Sequence, residues 1–438
     1  MSNSLLVDRI DSLIRIFLYI LIFWLPYSPA VIESCVIICF ILWLIKRGVI
    51  VTSPKRSART PKERLSGFLK DIKPEPTFLN KPIAYFLFAC ILSVTSSAFF
   101  AQSLHNFLTK TLEWFIVYFL VVEVFKDKKH IYIALAVFTF TAFSTVLDSL
   151  VQFYMTYKDI FYGRVIDPGS RATAGFRTPN GLGGYLTGII PVLAAWIFWG
   201  KQKAFYRLAV LLIFLLMIWS LMITFSRGAW MGVFFGGMFL LFLGLFPKKR
   251  LKLYFSLGII FAAIALGISV FLILANGSDQ ELFARYYTIQ WRLSIWSISM
   301  EMIKDKFLFG HGINTFMRVF QAYRGNFFMG PTYAHNCYIQ LAAETGVVGL
   351  LCFLWIIVTA FHQSLGKIEL NFAQNRNLAA LAVGLLSGIF AFLVHSFFDT
   401  NFYSLQLSVY LWFMVGMLVS IDKILDAQKV WKDVVIEG

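Results

Sequence analysis

The stretch AHNCYIQLAAETGVVGL, residues 334–350, stands at a junction in the chain. A polar and aromatic segment of roughly residues 276–334 leads into it, and an apolar run then continues to about residue 361. His335 and Asn336 therefore stand where an aqueous loop turns into an apolar helix. A histidine at such a boundary is a candidate reacting group, because imidazole can accept a proton near neutral pH.

Two glycines follow in the same stretch. Gly346 and Gly349 are three residues apart, so in a regular helix they lie on one face. Small residues on one face of a membrane helix allow a neighbouring helix to approach closely. The spacing therefore predicts close helix packing at this point.

The composition of the whole chain indicates a membrane protein. Of its 438 residues, 59% are hydrophobic and only 14% are charged, whereas soluble proteins average about 25% charged residues. Apolar runs long enough to cross a bilayer recur along the chain. We therefore predict an all-α polytopic membrane protein, a single membrane domain over residues 1–438. The twelve predicted transmembrane helices are roughly 10–27, 29–46, 82–100, 104–125, 131–155, 179–199, 206–225, 228–246, 252–275, 335–361, 377–397 and 402–421.

Lysine and arginine in the loops predict the orientation of these helices. The loop of residues 46–81 holds ten basic residues, and the other lysine-rich loops fall on the same side. We expect that side, with both termini, to be cytoplasmic. The net charge of +16 mostly reflects this asymmetry. Binding of nucleic acid is disfavoured because the basic residues are scattered over loops, and the 46–81 loop is expected to lie near anionic lipid headgroups.

Two long segments, residues 156–178 and 276–334, then fall on the outer side. Outside the cytoplasmic segments the chain has eight arginines but only four lysines. Arginine binds phosphate through two parallel hydrogen bonds, whereas lysine acts as a point charge. The alternatives are phosphate recognition and ordinary loop solvation. The arginines concerned are Arg164, Arg171, Arg177, Arg227, Arg285, Arg292, Arg318 and Arg324.

An amphipathic helix is predicted inside the 276–334 segment. Apolar residues recur there at spacings of three and four, and Gly310 and Gly312 would end the helix. We expect this helix to lie in the outer interface, over the bundle, so that Arg285 and Arg292 reach toward the membrane surface. The predicted stripe consists of Ile289, Leu293, Trp296, Met300, Ile303 and Phe307.

Arg171 and Arg177 precede the sixth predicted span, which would open at Pro179 or Asn180. The backbone N–H groups of a helix start favour an anion, although a plain loop-to-helix turn would show the same sequence pattern.

Arg227 lies between two apolar runs with almost no loop. A charge so close to the hydrocarbon suggests function, with snorkelling to the headgroups as the alternative.

Other polar residues within the spans suggest structural pairs, with orientation of the site residues as the alternative. Lys110 and Glu113 are three residues apart and could pair on one helix face. His395 and Asp399 are four apart, and Asp148 is expected to face the protein interior. The chain has no D-x-D motif, no paired-histidine metal motif and no glycine-rich phosphate loop. We therefore predict no metal and no cofactor.

These motifs together resemble a known family. His335-Asn336, nine residues, Gly346, two residues and Gly349 are similar to the H-N-x9-G-x-x-G signature of the O-antigen ligase and O-antigen polymerase superfamily. The resemblance covers roughly residues 80–420, with one departure, because Phe307 stands where the family commonly has proline. Three more blocks resemble motifs of the family: Arg292 to Trp296 with Met302 to Gly312, Arg171 to Phe176 with Pro179-Asn180, and Ser226-Arg227-Gly228.

The resemblance implies a reaction. In this family a glycan linked to undecaprenyl pyrophosphate moves en bloc, with inversion and without metal, to an acceptor sugar hydroxyl, which is lipid A-core in a ligase. The protein would lie in the bacterial inner membrane, with its active site facing the periplasm. His335 would be the general base, with Asn180 and Asn336 in support. The arginines implied to bind the donor pyrophosphate are Arg171, Arg177, Arg227, Arg285 and Arg292.

Two alternatives stay open at this point. A polymerase of the same superfamily shares these motifs and differs in the acceptor. A transporter of lipid-linked glycans would also be polytopic with interior charges, but it would not need His335 beside a long outer loop, and no inverted repeat is evident.

Overall fold

In a computed structural model of the protein, the described residues are 3–51, 73–245, 279–325 and 332–437, with only the backbone described at 279–289, 368–374 and 429–437. The helices are α1 (Asn3–Trp24), α2 (Pro29–Val51), α3 (Asn80–Thr95), α4 (Phe100–Asn106), α5 (Leu112–Val124), α6 (Lys128–Val151), α7 (Pro179–Trp199), α8 (Ala204–Ile223), α9 (Arg227–Leu245), α10 (Asp279–Asp305), α11 (Phe316–Tyr323), α12 (Cys337–Gln374), α13 (Arg376–Ser396) and α14 (Leu405–Glu437). Short π-helical turns, Phe107–Thr111 and Gln152–Thr156, follow α4 and α6. In these ranges β-structure is limited to one isolated bridge, Lys158 to Val165.

The prediction of an all-α polytopic membrane protein is confirmed. Among the described residues, eight helices are long and apolar enough to cross a membrane, namely α2, α6 with its π-helical turn, α7, α8, α9, α12, α13 and α14. The helix α3 is apolar but shorter. The first predicted span corresponds to α1, which carries charged residues in its first half. The fourth is broken into α4, a π-helical turn and α5, and the ninth, residues 252–275, lies outside the described residues.

The helices α7, α13 and α14 form the centre of the bundle. In the most apolar stretch of α14, 94% of the residues are buried, against 22% in α8, which lies at the periphery. A Cβ atom added to Gly388 of α13 would lie 2.1 Å from the carbonyl oxygen of Gly188 in α7. Only glycine permits the two backbones to cross at this distance. This crossing holds α13, and the loop that follows it, in a fixed position against α7.

The predicted pair of Lys110 and Glu113 is wrong. Lys110 lies in the π-helical turn and is exposed, whereas Glu113 lies in α5 and is buried. Neither carboxylate oxygen of Glu113 has a hydrogen-bond partner among the described residues. The wider turn changes the angle between residues three apart, so the two side chains do not share a face.

Asp148 of α6 faces the interior, as predicted. Its side chain is fully buried, and its Oδ1 atom accepts a hydrogen bond of 2.7 Å from the backbone N–H of Ile160. The bond ties the end of α6 to a small hairpin at residues 157–166. That hairpin leads into the segment that carries Arg171.

The amphipathic helix predicted in the 276–334 segment is α10, and its packed face matches the predicted stripe only in part, because Ile303 is buried and Trp296 packs against the buried cluster around Ile295. Ile295, Ser299 and Met302 are fully buried against the protein. Leu293, with 54% of its surface exposed, faces away from the packed surface. Met300 and Phe307 are exposed as well, and the side chain of Ile289 lies outside the described residues. The helix also ends at Asp305, several residues before Gly310.

Gly346 does not act as a helix-packing residue as predicted. It forms a kink in α12 where the segment that follows α10 packs. Gly346 has φ +70° and breaks α12 with a kink. The segment 307–312 enters this kink, where His311 N–H donates to Ala343 O at 3.0 Å and Val347 N–H donates to Phe307 O at 2.9 Å. A glycine is required because a left-handed conformation and a crossing backbone coincide there. Among the described residues, Gly346 and Gly349 therefore do not form a shared face that packs against another helix, and the nearest atoms that a Cβ atom added to Gly349 would meet belong to Thr345 of the same helix.

Candidate active site

Local backbone geometry displays His335 at the start of α12. Asn336 is fully buried, and its Oδ1 accepts hydrogen bonds from the backbone N–H groups of Tyr338 (3.0 Å) and Ile339 (3.1 Å), which caps the helix. On the other side, Trp296 of α10 donates from Nε1 to Ala334 O at 2.9 Å. His335 between them has φ +49°, a left-handed conformation that non-glycine residues rarely adopt. Strain of this kind is held in place by its surroundings and often marks a functional position.

Asp399, in the loop between α13 and α14, faces the imidazole of His335. The Nδ1 atom of His335 lies 3.6 Å from Oδ1 of Asp399, and the His335 side chain is 28% exposed. On its other face, the His335 ring packs at 5.2 Å from the ring of Trp291. The Nε2 atom of His335 makes no hydrogen bond with any residue that the structure describes, which leaves this nitrogen for a substrate.

Asp399 is fixed and ionised. Thr400 donates its backbone N–H to Asp399 Oδ1 at 2.8 Å, and Cys337 donates its thiol to Asp399 O at 3.1 Å. Burial alone would raise the pKa of Asp399, but the imidazoles of His335, at 3.6 Å, and of His395 lower it to about 2. A carboxylate in this state can orient the imidazole and stabilise its protonated form.

The predicted pairing of Asp399 with His395 is not the main contact of either residue. His395 is buried, and its Nδ1 atom lies 3.0 Å from Nδ2 of Asn401. The helix α13 ends at Ser396, so the four-residue spacing no longer places the two side chains on one helix face. Asp399 turns instead toward His335. The sequence signal was present, since Asp399 is a charged residue in a short loop between apolar spans, but its partner could not be read from spacing.

Arg292 of α10 is anchored beside this pair. Its Nη1 atom donates to the carbonyl oxygen of Phe398 at 2.8 Å. Burial lowers the pKa of the Arg292 guanidinium, Asp399 opposes that shift, and Arg227 adds to it. Arg292 therefore lies within electrostatic range of both the carboxylate and a second arginine.

Arg171 is anchored from the other side of the site. Its Nε atom donates to Thr224 O and its Nη2 atom to Asn180 Oδ1, each at 2.7 Å. Burial lowers the pKa of Arg171 as well. The negative charge of Asp399 raises this pKa, and the positive charge of Arg227 lowers it further. The side chain of Asn180 thus holds an arginine.

Arg227, the first residue of α9, completes the group. Its side chain is exposed, and it makes no hydrogen bond or ion pair with the part of the chain that the structure describes. The next residue, Gly228, packs directly on Phe398, because a Cβ atom added there would lie 2.8 Å from that side chain. Arg171, Arg227 and Arg292 therefore converge around one loop, residues 397–400, at the end of the bundle where α7, α9 and α12 begin.

One predicted site residue, Arg177, is not brought into this group, and the prediction for Arg285 stays untested. Arg177 is exposed just before Thr178, and it makes no hydrogen bond or ion pair with any described residue. The side chain of Arg285 lies outside the described residues. The helix start next to Arg177 is also different from the expected anion site. There Thr178 Oγ1 accepts from the N–H of Gly181 at 3.1 Å, and Pro179 is the first residue of α7.

The arrangement can combine proton transfer with anion binding. An imidazole backed by a carboxylate can take a proton from a hydroxyl group. Three guanidinium groups close to one another repel each other unless an anion lies between them, and planar guanidinium groups match the oxygens of a phosphate. The site thus defines a class, a polytopic helical membrane protein with an anion-binding group of arginines beside a histidine–aspartate pair.

Comparison with known proteins supports a narrower assignment. The family model for O-antigen ligase, Wzy_C, matches residues 212–354, which run from α8 into α12. The exopolysaccharide production protein ExoQ of Rhizobium meliloti (strain 1021) is 28% identical over 155 residues, covering 33% of this chain and 35% of that protein. The alignment thus spans about a third of the length of that relative. These findings show that the chain is similar to the O-antigen ligase family over residues 212–354.

Proposed function

We propose that this protein is a glycosyltransferase of the ligase type. It moves a glycan en bloc from undecaprenyl pyrophosphate to a hydroxyl group of an acceptor sugar, lipid A-core. The observation that carries the proposal is the pairing of His335 with Asp399 inside the group formed by Arg171, Arg227 and Arg292. The similarity to the O-antigen ligase family over residues 212–354 supports it independently.

In the proposed reaction, His335 acts as the general base. Nε2 takes the proton of the acceptor hydroxyl while Asp399 holds Nδ1 and stabilises the imidazolium that forms. The hydroxyl oxygen attacks the anomeric carbon of the donor glycan from the face opposite the pyrophosphate. A new glycosidic bond forms, the bond from that carbon to the pyrophosphate oxygen breaks, and the configuration inverts. The proton on His335 is later released to solvent.

The arginines act on the leaving group. Negative charge grows on the pyrophosphate as its bond to the sugar breaks, and fixed guanidinium groups stabilise that charge. Arg171 and Arg292 are held by backbone carbonyls, so their positions need little rearrangement when the donor binds. Because the arginines stabilise the negative charge on the pyrophosphate, this mechanism needs no metal ion.

The proposed location is the bacterial inner membrane, with the site facing the periplasm. The site lies at the bundle end that carries arginine and few lysines, whereas the lysine-rich loops belong to the opposite end. In that compartment ATP and nucleotide sugars are not at hand, so a donor already activated as a lipid pyrophosphate supplies the energy.

A second candidate is a polymerase of the same superfamily, in which the acceptor is another lipid-linked glycan. The name of the ExoQ relative, an exopolysaccharide production protein, favours this alternative. The site chemistry is the same for both, because only the molecule that bears the hydroxyl group differs. A transporter of lipid-linked glycans is the weaker candidate, since transport does not need a histidine–aspartate pair.

Analysis of a deletion strain distinguishes the ligase, the polymerase and the transporter. If the protein is a ligase, lipopolysaccharide should lose its polymer while polymeric donor accumulates on undecaprenyl pyrophosphate. Core carrying a single repeat would indicate a polymerase, and donor trapped in the cytoplasm would indicate a transporter. Purified protein should also form the glycan–acceptor product from donor and lipid A-core, with release of the lipid pyrophosphate. No product in that assay would contradict the ligase proposal.

A further inference from the structure

The segment that carries Arg171 is held by residues that none of the site motifs contain. It has no regular secondary structure between Arg171 and Arg177, and Ala174 within it has φ +47°. An irregular segment keeps such a conformation only where its surroundings impose it. The position of the Arg171 guanidinium therefore depends on what fixes residues 172–175.

Gln152 provides the first constraint. This residue is fully buried in the π-helical turn at the end of α6. Its Oε1 atom accepts hydrogen bonds from the backbone N–H groups of Thr173 and Ala174, each at 2.9 Å, and its Nε2 atom donates to Thr173 Oγ1 at 3.0 Å. One carboxamide thus makes hydrogen bonds with three groups of the segment, including the backbone N–H of Ala174, the residue in the left-handed conformation. A π-helical turn often marks a functional position.

Arg164 provides the second constraint. It lies on the 157–166 hairpin, and its Nη1 atom donates to Gly175 O at 2.9 Å. The guanidinium also lies 4.7 Å from the ring centroid of Tyr162, and Asp159 accepts from the backbone N–H of Arg164 at 2.8 Å. Arg164 lies outside every recognised motif, so the sequence alone predicts that its replacement matters little. Its contact with Gly175 changes that expectation.

On the far side, the same segment is tied to the turn that precedes Arg227. Ala172 donates its backbone N–H to Ile223 O at 3.1 Å, next to the bond from Arg171 to Thr224 O. Movement of the segment would therefore change both the direction of Arg171 and its distance from Arg227.

We infer that Gln152 and Arg164 are positioning residues for Arg171: they hold residues 173–175 so that the guanidinium meets the donor pyrophosphate. This inference rests on the proposed function. It predicts an effect on donor binding and on stabilisation of the leaving group, and no effect on the base and its carboxylate, which lie on other elements. Gln152→Met keeps the length of the side chain but removes its hydrogen bonds. Arg164→Ala removes the guanidinium, whereas Arg164→Lys retains one donor.

Steady-state kinetics with a polyprenyl pyrophosphate-linked glycan test the inference. For Gln152→Met and Arg164→Ala, kcat/KM for the donor should fall about 10-fold, because Arg171 meets the pyrophosphate both in the bound donor and as charge grows on it. Arg164→Lys should restore most of the lost kcat/KM. A kcat/KM for the donor within about 2-fold of the parent in Gln152→Met would overturn the inference, as would equal losses in Arg164→Ala and Arg164→Lys.

A double-mutant cycle separates positioning from general damage to the fold. In an Arg171→Ala background, Gln152→Met should change kcat/KM for the donor by less than about 2-fold, because the group that it positions is already gone. A full additional 10-fold loss would contradict the inference. Asn377→Ala is the matched control. Its carboxamide also bonds to a loop backbone, accepting from Lys201 N–H at 2.6 Å, but at the opposite end of the bundle, and this variant should leave kcat/KM for the donor unchanged.

Thiol labelling of detergent-purified protein gives a readout that needs no glycan transfer. Ala172 is fully buried, so Ala172→Cys should react slowly with a maleimide, and the parent chain with its five cysteines supplies the blank. Adding Gln152→Met should speed the labelling several-fold, and an unchanged rate would overturn the inference. Faster labelling in a protein that transfers no glycan would instead uphold the positioning contacts and reject the proposed function.

Discussion

Asp399 Oδ1 lies 3.6 Å from His335 Nδ1, and this contact assigns different tasks to the two imidazole nitrogens. One nitrogen faces a buried, ionised carboxylate, and the other is left for a substrate. The carboxylate belongs to the loop after α13, whereas the imidazole stands at the start of α12. The candidate pair therefore exists only because those two helices pack side by side at this end of the bundle.

Replacing His335 should separate chemistry from binding. His335→Gln retains hydrogen bonding but cannot take up a proton near neutral pH, so transfer should fall by roughly 10²- to 10⁴-fold, the usual contribution of a general base. His335→Ala should behave alike. Donor binding should persist in both variants, because the arginines remain. The measurement is the transfer rate of purified protein together with donor affinity. Transfer by His335→Gln at near the parent rate, or loss of donor binding in parallel with activity, would contradict the role of His335 as base.

Asp399→Asn should keep the shape of the loop and lose the orienting charge. An amide cannot stabilise an imidazolium, and it can present an N–H to Nδ1 and so favour the wrong tautomer. We expect kcat to fall roughly 10²- to 10⁴-fold with a small change in the donor KM. Ser396→Ala is a neighbouring control, because its hydroxyl bonds to the backbone of α13 and to Asn401 and does not contact the imidazole. Full activity of Asp399→Asn would show that Asp399 does not act in the reaction.

Asp399 also predicts a pH dependence of stability. Its pKa in the folded protein is about 2, below the value of about 3.9 for an unfolded aspartate. A depressed pKa means that the ionised group stabilises the fold. This contribution is complete above pH of about 4 and is lost as the pH falls toward about 2. The difference in apparent Tm between the parent and Asp399→Asn should therefore shrink over that range. A difference that stays constant would indicate that the variant destabilises for another reason.

Arg292→Lys tests whether the planar guanidinium matters. Lysine keeps the charge but loses the fork that binds phosphate through two hydrogen bonds. We expect a marked loss of transfer in the variant, measured as kcat/KM for the donor. Arg318→Lys is the control, because that guanidinium packs over the ring of Phe99 away from the site. If Arg292→Lys were as active as the parent, two-point binding of phosphate at Arg292 would be rejected.

The orientation in the membrane can be tested with reporter fusions. A reporter that is active only outside the cytoplasm should be active when fused within residues 276–334 and silent within residues 46–81. The reason is the preference of lysine-rich loops for the cytoplasm. The opposite pattern, or activity at both positions, would reverse the assignment and move the site to the other face.

The sequence by itself determined the class of the protein and the elements of the site. Recurrent apolar runs leave an α-helical chain no other way to satisfy its backbone in lipid, so the polytopic helical fold follows from composition. His335, Arg171, Arg227 and Arg292 stood out because charged or titratable groups at a membrane edge are costly without a role. Those inferences need only local information.

Tertiary structure alone decided which residues lie together. Spacing predicts Asp399 as the partner of His395, yet α13 ends at Ser396 and Asp399 faces His335. Spacing predicts Gly346 as a helix-packing residue, yet it forms a kink into which another segment binds. Gln152 gave no signal, because a single buried glutamine acquires meaning only from the backbone groups that it meets. Spacing along a helix predicts neighbours within that helix, whereas contacts between separate elements depend on how the whole bundle packs.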